Sequence, residues 1–112
     1  MKTINRTVVT ISPRQPYINW ANSFEDDGPK LESGEIYSAA LLIPDRYDET
    51  NFEEFIKKNY SMIFEEELAA WMADPDAWPK NRTYKKFKEW FEVNVSDTVI
   101  DYGIDPIIIE EL

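Results

Sequence analysis

The chain reads as an α+β protein, a two-layer sandwich. A sheet of three or four strands would carry one long helix, with a second helix packed on it as a hairpin. The expected order is β-α-β-α-α-β, with room for one more strand at the end. Three observations lead there. Short β-branched segments alternate with helical patterns and are separated by Pro or Gly breaks. Residues 50–73 lie within the longest stretch without either breaker. And 43% hydrophobic content, with four Trp, six Tyr and six Phe in 112 residues, is enough for one core and argues against disorder despite the charge. A single domain over residues 1–112 follows.

Residues 3–11 are β-branched and partly alternating. Ile4, Arg6, Val8 and Thr10 fall on one side and Val9 and Ile11 on the other, a strand with one wetter face. Ser12 and Pro13 end it. Tyr17, Trp20, Ala21 and Phe24 follow at i, i+3, i+4 and i+7, and Pro16 suits a helix start, which predicts a short helix over 16–23. Residues 25–34 form a polar loop. Residues 35–43 are apolar on both faces, the pattern of a strand inside a sheet, and Pro44 stops it. If this strand lies parallel beside the first, the crossover between them is right-handed.

In the long helix, Thr50 would serve as N-cap and Glu53 would complete a capping box. Its apolar face is double. Phe52, Phe55, Ile56 and Ile63 make one stripe; Tyr60, Phe64, Leu68, Trp71 and Met72 make another, displaced by about 100°. The first stripe would meet the sheet and the second the following helix, while Glu54, Lys57, Lys58, Ser61 and Glu65 face solvent. Two prolines in 74–81 break the helix. Asn81 or Thr83 would cap the next one, whose apolar positions are Tyr84, Phe87, Trp90 and Phe91. After Val93 the chain is β-branched again. Val99, Ile100 and Tyr102 predict a strand, and residues 106–109 a short edge strand guarded by Glu110 and Glu111.

Composition excludes several chemistries. With no Cys and no His there are no disulfides, no thiol nucleophile, no Ser-His-Asp relay and no zinc site of the usual donors. A formal charge of −10 disfavours nucleic acid and anionic membrane as partners. The start has no continuous apolar run, so no signal peptide is expected and the cytoplasm is the expected compartment. No cofactor is expected, and three glycines leave no phosphate-binding loop.

Residues 80–88 hold five of the twelve bases and no acid, so the other 103 residues carry 7 bases against 22 acids, a net of −15. Pairing of Lys85, Lys86 and Lys88 with Glu65, Glu66 and Glu67 across the hairpin is expected in preference to a functional basic patch. The carboxylate groups Asp26/Asp27, Asp45/Asp48/Glu49, Asp74/Asp76 and Asp97/Asp101/Asp105 lack the spacing of a calcium loop, and turn formation accounts for several, so no metal or catalytic site is assigned. Arg14, between Pro13 and Pro16, is the best candidate for an anion contact.

The string formed by Trp78-Pro79, Arg82-Thr83, Phe87, Trp90-Phe91 and Val93, with Ile63, Phe64, Glu65 and Trp71 before it, resembles that of small acidic bacterial proteins of unassigned function. The resemblance covers about residues 52–93. It implies no activity, only that these aromatics form a shared structural unit.

The expected function is a non-enzymatic protein-interaction module. An immunity- or inhibitor-like protein that neutralises a basic partner fits by charge, and a homodimer is a close variant. The candidate interaction surface is Trp78, Tyr60, Phe64, Trp71 and Arg14, since Trp and Tyr are favoured interface anchors. The alternative is a small-ligand-binding protein, or a carboxylate enzyme, with a pocket between sheet and helices.

Overall fold

A computed structural model describes residues 1–24, 30–31 and 38–112. The elements are β1 (Lys2–Thr3), β2 (Arg6–Pro13), α1 (Gln15–Ala21), β3 (Ala39–Pro44), α2 (Phe52–Trp71), a 3-10 turn (Pro75–Ala77), α3 (Tyr84–Trp90), β4 (Phe91–Ser96) and β5 (Ile100–Asp101). The architecture is α+β in two layers. The main sheet is antiparallel throughout, with strand order β3-β2-β4, and β1 pairs with β5 in a separate two-stranded ribbon.

Alternation along β2 sets the layering. Thr7, Val9 and Ile11 are buried, whereas Arg6 is exposed and Val8 and Thr10 are half-covered. Register places Thr7 opposite Ile43, Val9 opposite Leu41 and Val95, and Ile11 opposite Val93. These residues share the face that receives the helices. The other face presents Ala40, Leu42, Asn94 and Ser96 to solvent.

One expectation about the sheet is corrected. The strand around 39–44 is an edge strand, and β2 holds the centre. Among the described residues no layer covers its second apolar face, and Leu42 is exposed. It also runs antiparallel to β2. The seven residues of α1 span only about 10 Å, less than half the roughly 26 Å of an eight-residue strand, and the chain re-enters the sheet with Ala39 beside Ile11, near the end where β2 finished. The polar loop expected at 25–34 falls largely outside the described residues, as do Glu35, Ile36 and Tyr37.

α2 begins one residue later than the capping box predicts. Asp48 Oδ1 accepts from both the Thr50 amide (2.8 Å) and the Thr50 hydroxyl (2.5 Å), which removes Thr50 as a cap. Asn51 takes the N-cap position, and its side chain accepts from the Asp48 amide instead of from the helix. Glu53 and Glu54 still occupy the first turn, where the helix dipole favours them. For α3 the cap is Thr83, whose Oγ1 accepts from the Lys86 amide at 3.1 Å. Asn81 is the one non-glycine residue with positive φ among those described, at 55°, a conformation Asn tolerates in a turn.

The last third departs furthest from expectation. The strand that matters is β4, which starts at Phe91 directly where α3 stops. Its alternation of Phe91, Val93 and Val95 follows the strand period, while Tyr84, Phe87 and Trp90 follow the helix period, so Phe91 is the switch between them. Val99 to Tyr102 yields only the two-residue β5, and residues 106–109 form no strand.

Among the described residues fourteen buried apolar side chains make one cluster, including Val9, Ile11, Ile43, Ile56, Ile63, Phe64, Leu68, Phe87 and Phe91. At its centre Phe64 lies 5.9 Å from Phe87 and 5.4 Å from Phe91, ring centroid to centroid, in edge-to-face geometry. This is where α2, α3 and β4 meet.

Candidate functional site

The aromatic residues first expected at an interaction surface are spent on the fold. Phe64 is wholly buried and leaves the candidate surface: its ring fills the junction just described. Tyr60 is half-buried and stacks on Tyr84 at 5.3 Å. Trp71 donates its indole N–H to the Ala21 carbonyl at 2.8 Å, and Trp78 donates to the Met72 carbonyl at 2.7 Å. Both acceptors sit at helix C-termini, where carbonyls lack intrahelical partners. Trp20 completes the set by donating to the Ala77 carbonyl at 3.0 Å in the 3-10 turn. Three indoles thus fasten the ends of α1 and α2 to the connection between α2 and α3. Trp78 is half-buried, and the Arg82 guanidinium stands 5.7 Å from the centre of its ring.

Pairing between the glutamates of α2 and the lysines of α3 is corrected. Among the described residues the ion pair present is Arg82 with Glu65, at 3.1 Å. Lys86 donates to the Lys80 carbonyl, and the Lys88 ammonium lies 5.5 Å from the Tyr84 ring centre. Aromatic contacts advance along the two helices together, Tyr60 with Tyr84 and then Phe64 with Phe87 and Trp90. That sense of advance keeps Lys85, Lys86 and Lys88 from standing opposite Glu65, Glu66 and Glu67.

Two of the cavities among the described residues bear on function. One, of about 320 Å³, is lined by Pro13, Tyr17, Leu31, Glu67, Ala70 and Trp71. There Tyr17 donates its hydroxyl to the Glu67 carbonyl at 2.6 Å. Burial, reinforced by the Glu67 carboxylate, pushes the Tyr17 hydroxyl well above its ordinary value. Burial, followed by the neighbouring Glu66, likewise raises the Glu67 carboxyl. Both groups thus ionise less readily than they would in water, the shared cause being burial beside an apolar wall.

The second cavity, of about 200 Å³, opens between α2, α3 and β4. Arg14, Glu53, Tyr84 and Lys88 supply its polar walls; Phe52, Ile56, Phe91 and Val93 supply its apolar ones. Arg14 is thus brought to a concave site, as its Pro-bounded position invited. Glu53, Tyr84 and Lys88 join it from elements far apart in sequence, and no local spacing signals that convergence.

Among the described residues no group of three or more acids converges as a metal site would require. Asp26 and Asp27 lie outside the described residues. Asp48 has its carboxyl held below the ordinary carboxylate range, chiefly by the Thr50 hydroxyl and amide, a turn role. Among the described residues no helix is long and apolar enough to cross a membrane.

What stays exposed was read differently from the sequence. Ile104, Ile107, Ile108 and Ile109 are 95%, 60%, 85% and 81% exposed, and Tyr102 stands out beside them. Asp101, Asp105, Glu110 and Glu111 flank them. The β-branched run was legible; its lack of a strand partner was not.

Comparison of the chain with protein-family models, with characterised proteins and with solved structures returns no match.

Proposed function

We propose that the protein is a non-enzymatic interaction module, an acidic domain that engages a basic protein partner in the manner of an immunity or inhibitor protein, or a second copy of itself. The observation that supports this is the exposed isoleucine segment with its acidic flanks. A Leu- or Ile-sized side chain gains roughly 1.5–3 kcal/mol on full burial, and segment 102–112 leaves five of them, Leu112 included, largely in water. A partner surface with an apolar groove recovers that free energy. The four flanking carboxylates, within a net charge of −10, steer association toward a basic surface and against an acidic one.

This moves the contact surface from the aromatic helices to the aliphatic segment. Trp71 and Trp78 are hydrogen-bonded to helix ends and Tyr60 packs on α3, so each offers a partner only the part of its ring that stays exposed.

The test uses the full chain as bait in an extract of its native host, beside the Ile107→Ser/Ile108→Ser/Ile109→Ser variant. Sedimentation of each protein alone runs in parallel. A basic partner or a self-associated species that the wild type retains, the variant loses, and high salt weakens is the expected result. Equal retention by the variant overturns the reading.

A further inference from the structure

The 200 Å³ cavity does not belong to the interaction surface, and it has a chemistry of its own. It places two cations and one carboxylate around an apolar floor in a protein whose charge is otherwise strongly negative. Arg14 is held there by its backbone. Its N–H donates to the Trp90 carbonyl at 2.8 Å, and its own carbonyl accepts from the Tyr17 and Ile18 amides at 3.0 and 3.2 Å. Lys88 is steered by the Tyr84 ring beneath it. Among the described residues neither cation forms an ion pair, nor does Glu53 on the opposite wall. The floor is dry in character: Ile56 and Phe91 are 2% and 1% exposed.

We propose that this cavity binds a small organic carboxylate with a short apolar body, a branched-chain acid being the best fit. The charge argument is that two cations against one carboxylate leave the walls with one uncompensated positive charge, which a monoanion neutralises. The shape argument is volume. At about 30 Å³ per water the cavity holds roughly seven waters, which limits the occupant to fewer than about ten non-hydrogen atoms. The Arg14 guanidinium offers the forked donors that suit a carboxylate, and Lys88 adds a point charge. Phe52, Ile56, Phe91 and Val93 take the hydrocarbon end. Glu53 repels a second negative charge and so selects a monoanion.

Isovalerate and isoamylamine share a hydrocarbon body and differ in the sign of the head group. Titrating each into the isotope-labelled full-length protein and following amide shifts by NMR separates charge recognition from simple apolar filling. Saturable shifts with isovalerate in the millimolar range, centred on Tyr84, Lys88, Phe91 and Val93, are expected; the amine should give none. Arg14→Gln and Lys88→Gln should each weaken isovalerate about tenfold, the loss of one charged hydrogen bond. Glu53→Gln should tighten it, and Lys57→Gln on the solvent face of α2 should leave it unchanged. All four side chains are exposed, so urea midpoints will stay close to wild type and binding losses cannot be blamed on unfolding. Absence of saturable isovalerate shifts, equal binding of the amine, or indifference to both cation variants overturns the proposal. The Ile107→Ser/Ile108→Ser/Ile109→Ser variant should bind isovalerate normally, which keeps this site separable from the interaction surface.

Discussion

The junction of Phe64, Phe87 and Phe91 and the segment around Ile107, Ile108 and Ile109 are both densely apolar, yet one is sealed and the other is bare. Hydrophobicity is the same in kind; what differs is periodicity. Phe64 and Phe87 sit on faces of helices whose other faces are charged, so one orientation buries them all. Three successive isoleucines after Pro106 have no such face: as a strand they would point to both sides, and among the described residues no strand pairs with them. Apolar content states a demand for burial. Patterning decides whether the chain can meet that demand alone.

The sharpest attempt to break this contrast is Phe64→Ala. Its ring touches elements from both layers, so the loss should reach about 3–5 kcal/mol in urea unfolding, at the upper end for a core aromatic. A cost below about 1 kcal/mol would mean that the junction is not the core. Next comes Thr7→Val, on the buried face of β2. The Thr7 hydroxyl donates to the buried Tyr47's carbonyl, and an unmet buried acceptor costs about 1–3 kcal/mol. Partial compensation by the added methyl places the expected value toward the lower figure.

Glu67 gives a smaller effect with a diagnostic sign. Its carboxyl is raised above the ordinary 4.5 by burial and then by Glu66, so the folded state binds that proton more tightly than the unfolded one. The associated stability is present in full below pH 4.5 and is lost as pH rises through the folded value. Glu67→Gln should therefore stabilise the protein at neutral pH and make little difference in acid. Parallel urea titrations at pH 4 and pH 7 check it, and a variant less stable at pH 7 would reverse the assignment. The smallest effect belongs to the exposed segment: Ile107→Ser, Ile108→Ser and Ile109→Ser should each move folding stability by no more than about 0.5 kcal/mol. A larger loss would mean that this segment packs on the domain and that the contrast is false.

Much of the architecture was legible because its signals are local. The wet and dry sides of β2, the breaker-free run of α2 and the Thr83 cap all follow from spacing within a few residues. β4 escaped because Tyr84, Phe87, Trp90 and Phe91 fit a helix to the last residue, and the period changes at Phe91 itself. The centre of the sheet was misplaced for a related reason: two apolar faces on residues 35–43 imply two covering layers, but among the described residues only one is built. For the candidate site, Arg14 was legible from its proline neighbours. Glu53 and Lys88 were not, since only the tertiary fold brings the first turn of α2 to the last turn of α3.

The three indole hydrogen bonds carry a consequence of an optical kind. Trp20, Trp71 and Trp78 report on one closed circuit: α1 to the 3-10 turn, α2 back to α1, and the connection back to α2. Opening any one of these joints exposes an indole to water and frees a carbonyl in the same event. Intrinsic fluorescence therefore reads the helix ends through three indoles, while Trp90, 5.7 Å from the Phe64 ring, reports on the phenylalanine junction. Indole proton exchange would resolve which joint yields first, giving a label-free record of how the two layers come apart.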